Sequence, residues 1–340
     1  METDFDPSDP LSYTCHGISV REALRRFGHR ERNLHGAESW AGKSRVCRGL
    51  TRRKLKGIAW DKIITSDHDL TDPKGFLCWA EMLCGITVEG LHHMGVECRS
   101  MHRFINAKNG QRTPQNPNGR IGYAPVDEGN LFGRAMAWAM ILGYERSFAS
   151  SAENPDGSFL YDLTHTKPVL DWLEEQGYGH KCLTYLCMFS KKKKRPKKPV
   201  RLFATRKFIE RMKRVCNCPP KRHLALMRKN SRGGICPVKI KFSKQNHMLS
   251  SNKRKTRMKE SQTYPTDFAE CLVQYWHGEC GSVAERMLPP LQHAEPLEEI
   301  KSDFGTDRSD SDSEQGYVAD KETAGWKMEI HDSSSDEAAI

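Results

Sequence analysis

Apolar positions gather into a few dense runs separated by polar and glycine-rich stretches. Val20 to Phe27 can place Leu24 and Phe27 on one helical face. Asp72-Pro73 offers a helix start, and Gly75 to Met94 reads as a helical region. Its residues Phe76, Leu77, Cys78, Trp79, Met82, Leu83 and Ile86 are too apolar all round for an exposed helix, so burial is expected. Leu131 to Tyr144 predicts a second buried helix. Thr166 to Gln176 predicts a third, with Pro168 near its start and Gly177 as its stop. Between them, Asn106 to Gly129 reads as a long loop or hairpin region, and Asn154-Pro155-Asp156-Gly157 as a turn. Period-two alternation is weak throughout. The expected fold is a mainly α (or α+β) globular body with a basic segment open to clipping by zinc and a disordered acidic C-terminal tail.

Charge sharpens this division. Overall the chain is +11, yet Lys191 to Lys259 holds 26 Lys and Arg against a single acid, Glu210. Residues 260–340 hold 19 acids against 5 bases, and residues 1–190 have 23 of each. Such blocks read as interaction segments attached to a body. The expected parts are an acidic arm (1–14), a basic Gly/Arg-rich region (15–57), a globular mainly helical body (58–190), a basic nuclear-localisation and nucleic-acid-binding segment (191–259), a Cys/His-containing segment (260–288) and a disordered acidic Ser-rich tail (289–340). Only 37% of residues are apolar and 29% are charged, which suits one core with long solvated stretches. The best apolar run, Leu131 to Gly143, is interrupted by Arg134 and is too short to span a bilayer, so no membrane partner is expected. The first residues are acidic and Pro-containing, unlike a signal or transit peptide. In a reducing compartment, the 12 cysteines are expected to be buried or to bind metal.

The run Lys191-Lys192-Lys193-Lys194-Arg195-Pro196-Lys197-Lys198-Pro199 closely resembles a monopartite nuclear localisation signal, which implies a nuclear import receptor as partner and the nucleus as location. Beyond it, Arg201, Arg206, Lys207, Arg211, Lys213, Arg214, Lys221 and Arg222 interleave with apolar residues, and Lys253, Arg254 and Lys255 follow. Phe203 to Val215 can form a helix with cations on one side. Cations in this number neutralise phosphates and release counterions, so they point to nucleic acid, with DNA favoured over RNA.

Within the block, Cys216, Cys218, His223 and Cys236 supply four ligands of the type zinc takes. His180, Cys182, Cys187, Cys271, His277 and Cys280 are further candidates, and unligated thiols are the alternative. A second set, Cys78, Cys84, Cys98 and His102, ends like a CCCH finger but lies largely in the most apolar part of the body, where packing is the expected role.

No phosphate loop, His-Glu-x2-His pair, nucleophile elbow or dinucleotide fingerprint occurs, so catalysis is not the expected function. In the tail, Ser309, Ser311 and Ser313 sit among acids as phosphorylation sites, and Tyr317, Trp326, Met328 and Ile330 punctuate it as in segments that fold on a transcriptional coactivator.

This layout resembles small transcriptional regulators, viral transactivators included. The stretch Cys78 to Gly85 (Cys-x5-Cys-Gly) resembles one in foamy-virus transactivators, over less than a tenth of the chain. The expectation is a nuclear, DNA-binding transcriptional regulator. An RNA-binding or packaging protein is the first alternative, and a Cys- or metal-dependent enzyme on nucleic acid the second. Replacing Lys192, Lys193, Lys194 and Arg195 by Ala is expected to leave a fluorescent fusion of the full chain in the cytoplasm. Unchanged nuclear fluorescence would move the signal to Lys253-Arg254-Lys255 or to the arginines between Arg21 and Arg32.

Overall fold

In a computed structural model the described residues are 4–101, 112–190, 195–219, 223–224, 227–229, 235–237 and 264–288. The chain divides into two units, Met1–Ala294 and Glu295–Ile340, and every described residue belongs to the first. The acidic tail, its serines, and the coactivator and phosphorylation expectations all lie outside the described residues. So do Lys191 to Lys194, Lys221, Arg222 and Lys253 to Lys255.

Six strands that the sequence pattern concealed form the centre. After a small antiparallel hairpin, β1 (Thr14–Cys15) with β2 (Ile18–Ser19), the sheet strands are β3 (Leu34–Ser39), β4 (Gly57–Trp60), β5 (Ile86–Met94), β6 (Ala149–Pro155), β7 (His180–Tyr185) and, after the two-residue β8 (Arg195–Pro196), β9 (Pro199–Ala204). Their order is β4-β3-β5-β6-β9-β7. The first four are mutually parallel, and β9 runs antiparallel to both β6 and β7. Two short pairs lie outside this sheet: β10 (His223–Leu224) beside β8, and β11 (Met227–Lys229) with β12 (Ile235–Pro237).

The helices have ordinary local causes. Helix α1 (Val20–Phe27) is capped by Ser19, whose Oγ accepts from the Glu22 N–H at 3.0 Å, with Glu22 at the favourable positive end. Helix α3 (Pro73–Cys84) starts on Asp72 and Pro73, as its sequence indicates. Helices α2 (Arg45–Thr51), α4 (Ala124–Arg146), α5 (Lys167–Glu175), α6 (Thr266–Trp276) and α7 (Ser282–Met287) complete the set. One apolar cluster joins α1, α3, α4 and α5 to one sheet face through Ala37, Ile86, Met94, Ala152 and Phe203. The other joins α2, α6 and α7 to the opposite face through Leu91, Ala149, Val200, Leu202 and Ala204. Alternate residues of β9 serve opposite clusters, the period-two rule at work.

This is a three-layer, doubly wound α/β architecture. From β3 the chain crosses through α2 to β4 on one side, then returns through α3, on the other face, to β5 on the far side of β3. The reversal between β3 and β5 is the topological switch point, where such sheets bind ligands at the carboxyl ends of their strands.

The expected mainly helical body is therefore corrected. Gly75 to Met94 is α3 followed by β5, and Phe203 to Val215 is the end of β9 followed by a 3-10 turn at Lys207–Met212. Fully buried parallel strands ordinarily read as apolar runs. Here they carry His35, Glu38, Ser39, Thr87, His92, His93, Ser150, Ser151, Glu153 and Asn154, all buried, so neither an apolar run nor alternation appears in the sequence. Several of these polar groups satisfy one another. Trp79 Nε1–H donates to Ser39 Oγ at 2.8 Å, Ser39 Oγ lies 2.9 Å from His92 Nε2, and His93 Nδ1 lies 2.9 Å from Ser151 Oγ.

Burial holds His92 and His93 near a pKa of about 3, far below the ordinary 6.5. In the unfolded chain they protonate near 6.5, so the stability they contribute is complete above that pH and is lost as pH falls toward 3. The variant His92→Gln keeps an amide able to meet Ser39 and removes one titration. Its stability deficit against the parent, from urea unfolding of the full chain, is expected to shrink by about 1.4 kcal/mol per pH unit below about 6.5. A constant deficit between pH 7.5 and 5 would contradict the burial of a neutral His92.

Candidate functional site

The loop leaving β3 at the switch point is Trp40-Ala41-Gly42-Lys43-Ser44. Trp40, Gly42 and Ser44 all have positive φ, at 52°, 53° and 51°. A left-handed conformation costs a non-glycine residue free energy and persists only where its surroundings impose it. Two anchors do so here. Asp61, one residue past β4, accepts from the Gly42 N–H at 2.8 Å and the Ile63 N–H at 2.9 Å. From within β3, Glu38 Oε2 accepts from the N–H groups of Val46 and Cys47, at 2.9 and 3.0 Å, in the first turn of α2. Tyr264 Oη–H donates to the other oxygen of Glu38. Burial lifts Glu38 to a pKa of about 7 despite these donors and nearby Arg48. A Cβ added to Gly42 would meet nothing within 4 Å, so this loop faces open space.

The neighbouring strand ends are stitched to the loop. The Gly95 N–H donates to Ser39 O at 3.0 Å, and Asn154 Nδ2–H donates to Val96 O at 2.8 Å, tying β6 to the segment after β5. That segment carries Cys98, and β6 carries Glu153. Glu153 is 6% exposed, and its Oε1 and the Asn154 Oδ1 have no hydrogen-bond partner among the described residues. Burial raises the pKa of Glu153, with Lys198 pulling against it. Burial also raises the Cys98 thiol. Lys198 lowers it, while Glu153 and Glu97 raise it, so these side chains share one electrostatic neighbourhood. The arrangement sets a thiol and a buried carboxyl, its pKa raised by that burial, in one electrostatic neighbourhood at the carboxyl edge of the sheet.

Arg112 fastens the loop over this edge. Its guanidinium donates to Ser100 O at 2.9 Å, Pro117 O at 2.6 Å, Asn130 Oδ1 at 2.8 Å, Val126 O at 3.0 Å and Ser100 Oγ at 3.3 Å. Gly129 on α4 leaves room for it, since a Cβ there would come within 2.4 Å of Ser100 Oγ and 3.1 Å of Arg112 Nη2.

A second cluster lies beyond β7. Cys187 Sγ is 3.4 Å from Cys216 Sγ, and Cys216 Sγ is 3.3 Å from His223 Nε2. With Cys218, four donor atoms lie within 4.8 Å of one another, a group able to hold a metal ion. Three of the four expected ligands thus meet, and Cys187 joins them from the turn Leu186–Phe189. Cys236 lies on β12, and its side chain is outside the described residues. Among the described residues, Cys78, Cys84 and Cys98 form no such group, and His102 is not described.

The expected nucleic-acid residues divide by environment. Arg201 Nε–H donates to Asp156 Oδ1 at 3.0 Å, and Arg206 forms a pair with Glu89 at 2.7 Å. Arg211 stacks on Tyr275 with 4.6 Å to the ring centre, and Arg214 on Phe189 with 4.5 Å. Lys207, Arg211 and Lys213 are exposed. Arg195 falls in β8, while Lys197 is exposed and Lys198 half-buried. Among the described residues no helix is long and apolar enough to cross a membrane.

No protein-family model and no curated protein matches this chain. Among solved structures, a methyltransferase of Entamoeba histolytica is similar at 11% identity over 76% of this chain and 97% of that one, with a TM-score of 0.31.

Arg112→Met leaves the carbonyls of Ser100, Pro117 and Val126 without their donor, at a cost of about 1–3 kcal/mol for each buried group left unpaired. Its melting temperature is expected to fall by several degrees, with new proteolytic cleavage near residues 112–123. An unchanged melting point and digestion pattern would show that this loop does not depend on the guanidinium.

Proposed function

We propose that the protein is a nucleoside-cofactor-dependent transferase that acts on a pyrimidine base of nucleic acid through Cys98. The observation that carries this reading is the buried Glu153, with one oxygen unpartnered, which shares an electrostatic neighbourhood with Cys98 at the carboxyl edge of a doubly wound sheet. A thiol is a soft nucleophile and adds to conjugated, electron-poor carbons such as C6 of a pyrimidine. Addition is easiest when an acid protonates N3 as the C6–S bond forms. Burial favours the protonated form of Glu153, which suits that role: it gives its proton to N3 and takes the proton of Cys98, so the pair is ready for the reverse transfer. A base inside a duplex must leave the stack to reach such a site.

The cofactor class follows from what the β3 loop leaves available. The first-turn amides of α2 are bonded to Glu38, so they offer no cradle for a pyrophosphate. Asp61 stands where such sheets place the acid that holds ribose hydroxyls. A phosphate-free nucleoside of the sulfonium type, S-adenosylmethionine, fits these constraints, with the Gly42 loop and Asp61 as its holders. When bound it supplies an electrophilic methyl group. The three thiols and one imidazole of the second cluster suit zinc. The basic run from Lys191 to Lys198 supports delivery to the nucleus, and DNA is then the substrate.

A C5-fluorinated pyrimidine tests the chemistry, because fluorine cannot depart as a proton does and the thiol adduct persists. Full-length protein with S-adenosylmethionine and a DNA oligonucleotide containing 5-fluorocytosine is expected to give a covalent complex whose modified peptide contains Cys98. Cys98→Ser should bind the oligonucleotide but form no adduct. Absence of any adduct with both DNA and RNA would overturn the catalytic reading. Salt-dependent binding would then leave the basic segment as a binding module alone.

A further inference from the structure

We propose that Cys187, Cys216, Cys218 and His223 form a closed structural zinc site that fixes the basic segment as a nucleic-acid clamp. The inference rests on the reading of that segment as the part that grips nucleic acid. It adds the device that gives the segment a shape.

The donor set is chemically selective. Three thiolates with one imidazole suit zinc and disfavour calcium or magnesium, which take oxygen ligands. Four protein ligands leave no open position, so the site is structural rather than catalytic. Bond lengths of about 2.3 Å to sulfur and about 2.0–2.1 Å to nitrogen place tetrahedral ligand atoms roughly 3.6–3.8 Å apart. Cys187 Sγ to Cys216 Sγ is 3.4 Å, Cys216 Sγ to His223 Nε2 is 3.3 Å, and all four atoms lie within 4.8 Å, so these two pairs need to open by tenths of an ångström and the others to close by at most about 1 Å. Cys187 and Cys216 at this separation are not joined by a disulfide, which requires about 2.05 Å.

The ligands fall where the basic segment needs ends. Cys187 lies in the turn Leu186–Phe189, just before the lysine run. Cys216 and Cys218 follow the 3-10 turn Lys207–Met212, just before Lys221 and Arg222, and His223 comes directly after them. One metal therefore closes two cation-rich loops, 187 to 216 and 218 to 223. The β8–β10 pairing sets Arg195 opposite His223, so backbone hydrogen bonds and ligands bring the same segments together. Residues 199–212 are held by the sheet through buried Val200, Leu202, Phe203, Phe208, Ile209 and Met212, whereas residues 213–219, which carry two of the ligands, are exposed or half-buried. Ligation supplies folding free energy from another source. A fixed array of cations then engages phosphates without having to order a free chain as it binds.

Full-length protein, purified without a histidine tag, is expected to contain about one zinc per chain by elemental analysis. Cys187→Ser and Cys216→Ser should each lose it. Cys236→Ser should retain it, which separates Cys187 from Cys236 as the fourth ligand. Stripping zinc with a high-affinity chelator under reducing conditions is expected to weaken binding to a duplex oligonucleotide at least tenfold at fixed salt, and adding back zinc alone should restore it. Far-UV circular dichroism should stay near that of the loaded protein, since the sheet holds none of these ligands. Metal-free protein, zinc that survives both Cys187→Ser and Cys216→Ser, or a stripped protein with unchanged affinity would each overturn the proposal. None of these outcomes touches the Cys98 adduct, so failure here and failure of the catalytic reading are separable.

Discussion

A buried carboxylate near the end of the first parallel strand joins parts of the chain far apart in sequence. Glu38 accepts the first amides of α2 through one oxygen and the Tyr264 hydroxyl through the other. Arg45 Nη1–H donates to the backbone oxygen of Tyr264, so the same junction is closed from the helix side. Everything at the switch point depends on this arrangement. The loop Trp40 to Ser44 must leave β3 at an angle that lets α2 start over Glu38, and its left-handed residues are the local consequence. Filling the helix start from inside removes the usual seat of a phosphate, and Asp61 then holds the loop at Gly42 from the end of the neighbouring strand. Holding Glu38 buried is costly enough to lift its pKa to about 7, and the gain is a crevice whose first loop is fixed before any ligand arrives.

The same economy of buried polar groups explains what was legible in the sequence. Helices α1 and α5 lie close to where the apolar periodicity and the Pro and Gly signals put them, and the apolar stretch Leu131 to Tyr144 is the inner part of the longer α4. The strands were not legible. Their buried positions hold histidine, serine, glutamate and asparagine, whose partners lie on neighbouring strands and helices and are unseen along one chain. His92 reads as polar until Ser39, 53 positions before it, is known to meet it, with Trp79, 40 positions after Ser39, donating to the same hydroxyl. Gly85 marks the junction that a single helix from Gly75 to Met94 overran. It ends α3, and β5 begins at the next residue.

The candidate sites were legible to different degrees for the same reason. Cys216, Cys218 and His223 are close in sequence, so their spacing alone suggested a shared ligand. Cys187 precedes them by 29 residues and meets Cys216 only because β9 returns antiparallel beside β7. Cys98 follows β5 and Glu153 lies near the end of β6, with the whole α4 crossover between them in sequence. Cys98 looked like one thiol among 12, and Glu153 like the residue before a turn. What distinguishes Glu153 is burial without a partner for Oε1, and only the folded sheet defines that. The basic block shows the converse. Its sequence suggested a helix from Phe203 to Val215 with cations on one side, but Arg201 and Arg206 are paired with acids and Arg211 and Arg214 lie over aromatic rings. Among the described residues of the block, the exposed cations Lys197, Lys207, Arg211 and Lys213 all lie between Cys187 and Cys216 in sequence.

Lys198 is where the two centres meet. Its carbonyl accepts from the Leu186 N–H at 2.9 Å, one residue before Cys187. Its ammonium acts on both Cys98 and Glu153, favouring the thiolate and the carboxylate against the effect of burial. The residue thus stands at the end of the lysine run, against the metal-donor turn, and within the field of the proposed nucleophile. Any displacement of the turn at Leu186–Phe189 is transmitted to Lys198 through a backbone hydrogen bond rather than a flexible side chain. The proposed nucleophile and the proposed metal site are thus neighbours through one residue, whose backbone serves the turn and whose charge serves the thiol and the carboxyl.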